Sequence, residues 1–267
     1  MVLRSLGLSD SSEKYMGTRP LILVSNDDGV DAPGNLALRA ALQDLGDVYT
    51  VAPQTEQSAK SHAITLEYPL RFREVEERVW AVDGTPADCV YVAFFLKGLL
   101  PRRPDLVVSG INHGPNLGND VHYSGTVAAA REGALRGVPS MALSNARSDM
   151  TEAARYAALF CERLLRAPPP EGQAALLNVN FPAVEAVGVR PTRLGFRLYS
   201  DDVEVRDDPR GRHYLWIGGP GGVKHERVEG ADTEAVDAGY VSVTPLSIEA
   251  TQPDHLGLAA FVAKFQE

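Results

Sequence analysis

The chain has 267 residues, enough for one large α/β domain, and its 44% hydrophobic and 23% charged content is ordinary for a soluble globular protein. A formal charge of −9 and a pI near 5.2 argue against non-specific binding to a nucleic acid polymer or an anionic membrane. They leave a small phosphorylated ligand open, because a bound dication reverses the local field.

Residues 1–19 lack the apolar core and cleavage site of a secretory signal and read as a disordered extension, with Met16 a second candidate start. No apolar run approaches the roughly 18 residues of a membrane span. The first structural signal is Pro20 to Ser25, an apolar run ending in Asn26-Asp27-Asp28-Gly29, which predicts a buried parallel strand and a polar turn. A helical pattern follows from Gly34 to Leu45, then a strand from Asp47 to Ala52. Strand, helix, strand in about 30 residues is a βαβ unit and implies a parallel sheet. Residues 61–83 look extended and hairpin-like. Thr85-Pro86 opens a helix with a capping residue and a proline in the first helical position. That helix is apolar nearly all round, which predicts thorough burial. Asp105 to Ser109 reads as a strand, Ser124 to Gly137 as a helix, Val138 to Leu143 as a strand, and Thr151 to Arg166 as a helix stopped by Ala167-Pro168-Pro169-Pro170. Ala174 to Val179 is a further strand candidate. From Ala183 to Ala231 charged and glycine-rich segments flank short β-like stretches, the texture of an antiparallel arm. Asp232 to Ala238 reads as a short helix and Tyr240 to Leu246 as a last strand. Cys89 and Cys161 sit in apolar helical patterns and read as buried free thiols of a reducing cytoplasm.

In open parallel sheets ligands bind beyond the carboxyl ends of the strands. Three segments of unusual composition fall there: 26–29, 53–62 and 109–126. Adjacent carboxylates at Asp27 and Asp28 repel one another unless a counter-charge is present. A hard dication supplies one, whereas capping of the next helix is the competing role, and these four residues alone leave both open. In Ser109 to Asp120, glycines 110, 114 and 118 alternate with Asn112, Asn116, Asn119 and Asp120, offering amides and close backbone approach. The loop runs into Tyr123-Ser124-Gly125-Thr126 and a strong helix beginning, a phosphate-compatible anion site. His62, His113 and His122 lie in these segments, while His213, His225 and His255 do not; a surface or structural role suits any one of them, with His113 and His122, which flank the glycine loop, the exceptions worth mutating. The sequence has no GxxxxGK[ST], GxSxG, HExxH or complete GxGxxG.

Together the blocks 23–34 (LVSNDDGVDAPG), 51–65 (VAPQTEQSAKSHAIT), 82–90 (VDGTPADCV) and 105–133 (DLVVSGINHGPNLGNDVHYSGTVAAAREG) resemble the SurE family of survival protein E nucleotidases. NVNFP at 178–182 and GYVSVTPL at 239–246 extend the likeness across about residues 20–250. The resemblance implies one divalent metal ion per subunit, Mg²⁺ or Mn²⁺, on Asp27, Asp28, Ser58 and Asn112, with Asp27 and Asp28 the catalytic pair. The residues themselves make Thr55 or Glu56 as plausible as Ser58. Phosphate contacts are implied at Asn116, Ser124, Gly125 and Thr126. Also implied are nucleoside 5′- and 3′-monophosphate substrates, with some members trimming short polyphosphate. The fold implied is a Rossmann-like parallel sheet flanked by helices over 20–183. A β arm over 184–231 would assemble a homodimer or homotetramer, a C-terminal segment over 232–267 would return to the core or to the partner subunit, and the setting expected is cytoplasmic. The reaction expected is attack by metal-activated water. An aspartyl-phosphate route suits the adjacent aspartates poorly, and the rival of another class is a nucleotide-sensing module without turnover.

Overall fold

The computed structural model describes residues 19–166, 169, 175–199, 203–218, 223–251, 257 and 261–263. The expected extension before Arg19, most of the Ala167–Pro170 breaker and His255 lie outside them.

Strand β1 (Leu21–Ser25) is buried at every residue, as a strand covered by helices on both faces must be. Helix α1 (Pro33–Leu42) begins on a proline and buries Leu38 and Leu42 while Leu36 faces outward. It stops three residues before the expected Leu45, where the chain turns into β2 (Asp47–Pro53). β3 (Phe72–Glu76) and β4 (Val79–Val82) form the expected hairpin, but residues 61–71 are not strand. β4 then adds to β2 in parallel.

Helix α2 (Pro86–Phe95) starts where Thr85-Pro86 predicts. Its expected thorough burial is corrected by the structure: Cys89, Val90 and Ala93 are covered, but Tyr91, Phe95 and the following Leu96 are exposed. The Arg136 guanidinium lies over the Tyr91 and Phe95 rings at 5.3 and 5.1 Å, using a surface that apolar content alone assigned to the core. β5 (Leu106–His113) runs beyond the predicted Ser109, with an irregular register between Ser109 and Asn112. A 3-10 turn (Gly118–His122) leads to α3 (Gly125–Leu135), β6 (Ser140–Asn145), α4 (Thr151–Arg166) and β7 (Leu176–Phe181).

The later elements are β8 (Gly188–Pro191), β9 (Arg197–Leu198), β10 (Val203–Asp207), β11 (His213–Ile217), β12 (Lys224–His225), α5 (Asp232–Asp237) and β13 (Tyr240–Pro245). Nine strands make one mostly parallel sheet in the order β3-β4-β2-β1-β5-β6-β7-β13-β8. β13 is antiparallel to β7, and β8, although it falls in the stretch of arm-like texture, is the edge of this sheet. β10 with β11 and β9 with β12 form two separate antiparallel ribbons.

One core unites Ile22, Val24 and Leu106 with Leu38 and Leu42 of α1 and Ala157 and Phe160 of α4. On the opposite face Leu23 and Val107 pack with Cys89 and Val90 of α2 and Ala129 of α3. Both cysteines are free and buried, one in each layer. Burial pushes the Cys161 thiol up to about 12 and the Cys89 thiol well above its ordinary value. The chain leaves β1 toward β2 on one side and reaches β5 on the other. The point where strand order reverses is therefore the crevice beyond β1 and β5.

Candidate active site

Asp27 and Asp28 lie directly past the end of β1, at that reversal. Asp27 is 5% exposed and its carboxylate accepts a hydrogen bond from the Thr126 hydroxyl of α3. Asp28 is half-buried and accepts from the His113 backbone N–H at 3.1 Å. Burial, opposed by the Thr126 hydrogen bond and assisted by the charge of Asp28, pushes the Asp27 carboxyl up to about 6. Asp28 is raised as well, first by burial and then, against the His113 N–H, by the charge of Glu56. Among the described residues neither carboxylate has a lysine or arginine among its charged neighbours.

α3 meets this pair at its first turn. Ser124 caps the helix, its Oγ accepting from the Val127 N–H at 3.1 Å. The turn carries no acidic residue of its own, so its N–H groups face a charge borrowed from β1. Glycine at 125 is a steric requirement: a Cβ there would lie 2.8 Å from the Asp27 Cβ. Ser124, Gly125 and Thr126 are thus gathered around Asp27, with the Thr126 hydroxyl committed to the carboxylate.

Asn112 precedes the His113 whose N–H meets Asp28 and donates Nδ2 to the Gly114 carbonyl at 2.7 Å, a bond that does not use its Oδ1. Ser58 is exposed and its hydroxyl donates to Glu56 at 2.7 Å; no bond joins it to either aspartate. Its loop is nonetheless tied to the site, since the Gln57 N–H donates to the Asp27 carbonyl at 2.7 Å. Asn116 is buried in an amide network: its N–H donates to Asn180 Oδ1, its Nδ2 to Ser144 Oγ, and its carbonyl accepts from Asn178 and Asn180. In this arrangement Asn116 clamps the glycine loop to β6 and β7.

Residues outside the expected ligand and phosphate sets complete the frame. His62 Nε2 lies 2.9 Å from Glu132 of α3, which Arg136 also engages, while Ser61 bonds the carbonyls of His122 and Tyr123. The loop after β2 is thereby fastened to the start of α3. The only sequence signal for Asn178 and Asn180 was the NVNFP block, to which no role attached.

Two carboxylates and amide or hydroxyl oxygens form a hard, oxygen-only set, and the adjacent carboxylates at its centre, with no lysine or arginine beside them among the described residues, fit a dication such as Mg²⁺ or Mn²⁺. Among the described residues no group of three or more His, Cys, Asp or Glu converges, so such an ion would take its other ligands from neutral oxygens or water.

The profile of the survival protein SurE family matches residues 22–201. A protein of Sorangium cellulosum (strain So ce56) described as 5′-nucleotidase SurE is 56% identical over 249 residues, covering 92% of this chain and 96% of that one. A protein of the same description from Myxococcus xanthus (strain DK1622) is 52% identical over 241 residues, covering 88% and 89%. The crystal structure of a SurE protein from Aquifex aeolicus superposes with a TM-score of 0.79 at 38% identity, covering 92% of this chain and all of that one. With more than half of the aligned residues identical to such relatives over most of its length, the chain belongs to the SurE family.

Proposed function

We propose that the protein is a nucleotidase that hydrolyses nucleoside 5′- and 3′-monophosphates to nucleoside and phosphate and requires one divalent metal ion per subunit. The observation that carries this reading is the meeting of Asp27 and Asp28 with the acid-free first turn of α3, where a cation held by the carboxylates would lie against an anion held by the helix start. Relatives described as 5′-nucleotidases supply the substrate class. Asp27, Asp28 and the Asn112 oxygen would hold the ion, with Ser58 joining if its hydroxyl leaves Glu56. Bound there, the ion would polarise the phosphoryl group and lower the pKa of water. The Gly125 N–H and the Ser124 hydroxyl would receive the phosphate oxygens and stabilise the charge that grows on them in the transition state. Thr126 fixes the Asp27 carboxylate, keeping it aimed at the crevice.

Assembly as a homodimer or homotetramer belongs to the same proposal. A two-stranded ribbon is marginal in water, and β10–β11 leaves Val203, Val205, Leu215, Trp216 and Ile217 exposed, so a second copy is the partner that would cover it. Free buried thiols favour a cytoplasmic setting. Among the described residues no helix is long and apolar enough to cross a membrane. Short polyphosphate, which presents the same terminal phosphoryl group, is a further candidate substrate.

Phosphate release from AMP and GMP with Mn²⁺ or Mg²⁺, abolished by EDTA and by Asp27→Asn, is the expected result. No turnover on any phosphate ester with any divalent ion would overturn the reading in favour of a nucleotide-sensing module.

A further inference from the structure

The glycine loop that leads into α3 is held from one side by the root of the C-terminal arm. Three consecutive loop residues are involved. The Gly118 N–H donates to Asp232 at 2.9 Å, and the other oxygen of that carboxylate accepts from the Gly195 N–H at 2.7 Å. Asn119 Oδ1 accepts from the Arg197 N–H at 2.7 Å. The Asp120 carboxylate pairs with the Arg197 guanidinium and accepts from the Tyr199 hydroxyl at 2.7 Å. The two backbones touch, since a Cβ on Gly118 would lie 2.8 Å from the Gly195 carbonyl oxygen. The Asp120–Arg197 pair is sheltered, each side chain being 13% exposed, so it is not the freely solvated kind of ion pair that contributes little.

Asp120 also faces the other way. Its backbone carbonyl accepts from the Tyr123 N–H at 2.9 Å and the Ser124 N–H at 3.1 Å. One residue therefore links β9, through its side chain, to the residue that caps α3, through its carbonyl. A shift of β9 would move the Ser124 hydroxyl and the first N–H groups of the helix, which are the groups assigned above to phosphate.

We infer that Arg197 is a positioning residue for the phosphate site, acting through Asp120 on Ser124, so that the arm tunes phosphate affinity as well as assembly. The inference rests on the phosphatase reading of the same site. The guanidinium meets one oxygen of Asp120 through Nη1 while the Arg197 backbone N–H engages Asn119; a lysine keeps the charge and the backbone bond but not the planar group.

The test measures five properties for the wild type, Arg197→Ala, Arg197→Lys, Asp120→Asn, Tyr199→Phe and Arg212→Ala. They are KM and kcat for GMP, inhibition by inorganic phosphate, melting temperature and elution volume. Arg212 pairs with Asp208 on the exposed β10–β11 ribbon and serves as the control. Expected is a roughly tenfold rise in both KM and the phosphate inhibition constant for Arg197→Ala and Asp120→Asn, with kcat changing less. Arg197→Lys should recover part of the loss, Tyr199→Phe should show about a threefold effect, and Arg212→Ala none. Unchanged phosphate inhibition, or a fall in kcat that tracks melting temperature with KM intact, would overturn the inference. If Arg197→Ala does not fold, Asp120→Asn and Tyr199→Phe carry the same decision. Calorimetric titration with inorganic phosphate separates the two failures. A wild type without turnover sinks the phosphatase reading, whereas an active wild type whose variants bind phosphate equally well sinks this inference alone.

Discussion

Helices α2 and α3 pack side by side on one face of the sheet, and their starts are built from similar sequences: Thr85-Pro86 and Ser124-Gly125. α2 closes its own start. Thr85 and Asp88 form a reciprocal capping box, Pro86 contributes no N–H, and the buried Asp88 carboxylate also takes the N–H and hydroxyl of Thr65. α3 has the cap but not the acid, and glycine replaces proline in its first position. A helix start whose own sequence withholds the neutralising carboxylate is left open to one from elsewhere, as α3 is and α2 is not. Here the nearest carboxylate, Asp27, comes from β1 and is one that a cation can claim.

The largest effect expected from breaking this contrast is at Asp27. Asp27→Asn should lower kcat/KM by at least about 10³-fold in a phosphate-release assay while stabilising the metal-free protein. The sign follows from burial. The folded-state value of about 6 lies above the ordinary 3.8, so between those pH values the native state holds a proton that the unfolded state has lost. Stability contributed by this group is therefore lost as pH rises from about 4 to 6, in total about 3 kcal/mol. Urea titrations of metal-free wild type and Asp27→Asn should diverge across that window and run parallel above it. A constant difference from pH 4 to pH 8 would contradict the assignment.

Next in size is Gly125→Ala, which forces a methyl against Asp27. A loss of about 10²-fold in kcat/KM and of about 1–3 kcal/mol in stability is expected from steady-state kinetics and denaturation. Asp88→Ala sharpens the comparison from the closed helix. It should cost about 2 kcal/mol through the unsatisfied groups it leaves, yet keep kcat/KM within about twofold under conditions where the protein is folded. Thr85→Ala should cost about 1 kcal/mol with no kinetic effect. Nucleotide kinetics as sensitive to either α2 variant as to Gly125→Ala would erase the distinction between the two starts.

Much of this contrast could be read before any coordinates. The apolar run of β1 ending in two aspartates, the Thr85-Pro86 start and the Ser124 cap are local signals, and local signals follow from periodicity and capping chemistry. The partners were not legible, because they come from distant parts of the chain. Glu132 is 70 residues from His62, Asn180 is 64 from Asn116, and the N–H that reaches Asp28 belongs to a residue 85 positions away. β8 joins the main sheet at an edge and is exposed at three of its four residues, so no alternation of buried and exposed positions marks it, and its segment reads as arm. The exposed ring pair on α2 escaped for a related reason: composition counts apolar side chains but does not say which have been given an arginine to lie under.

The free cysteines add a practical consequence. Cys89 sits on α2 in the layer that includes the site helices, and Cys161 on α4 in the opposite layer. Neither thiol can react while its layer is closed, and both are held in the inert protonated form at neutral pH. Each therefore times the opening of its own half of the molecule. The order in which a thiol reagent modifies them reports whether the two halves breathe together or separately, and whether inorganic phosphate quiets one half alone.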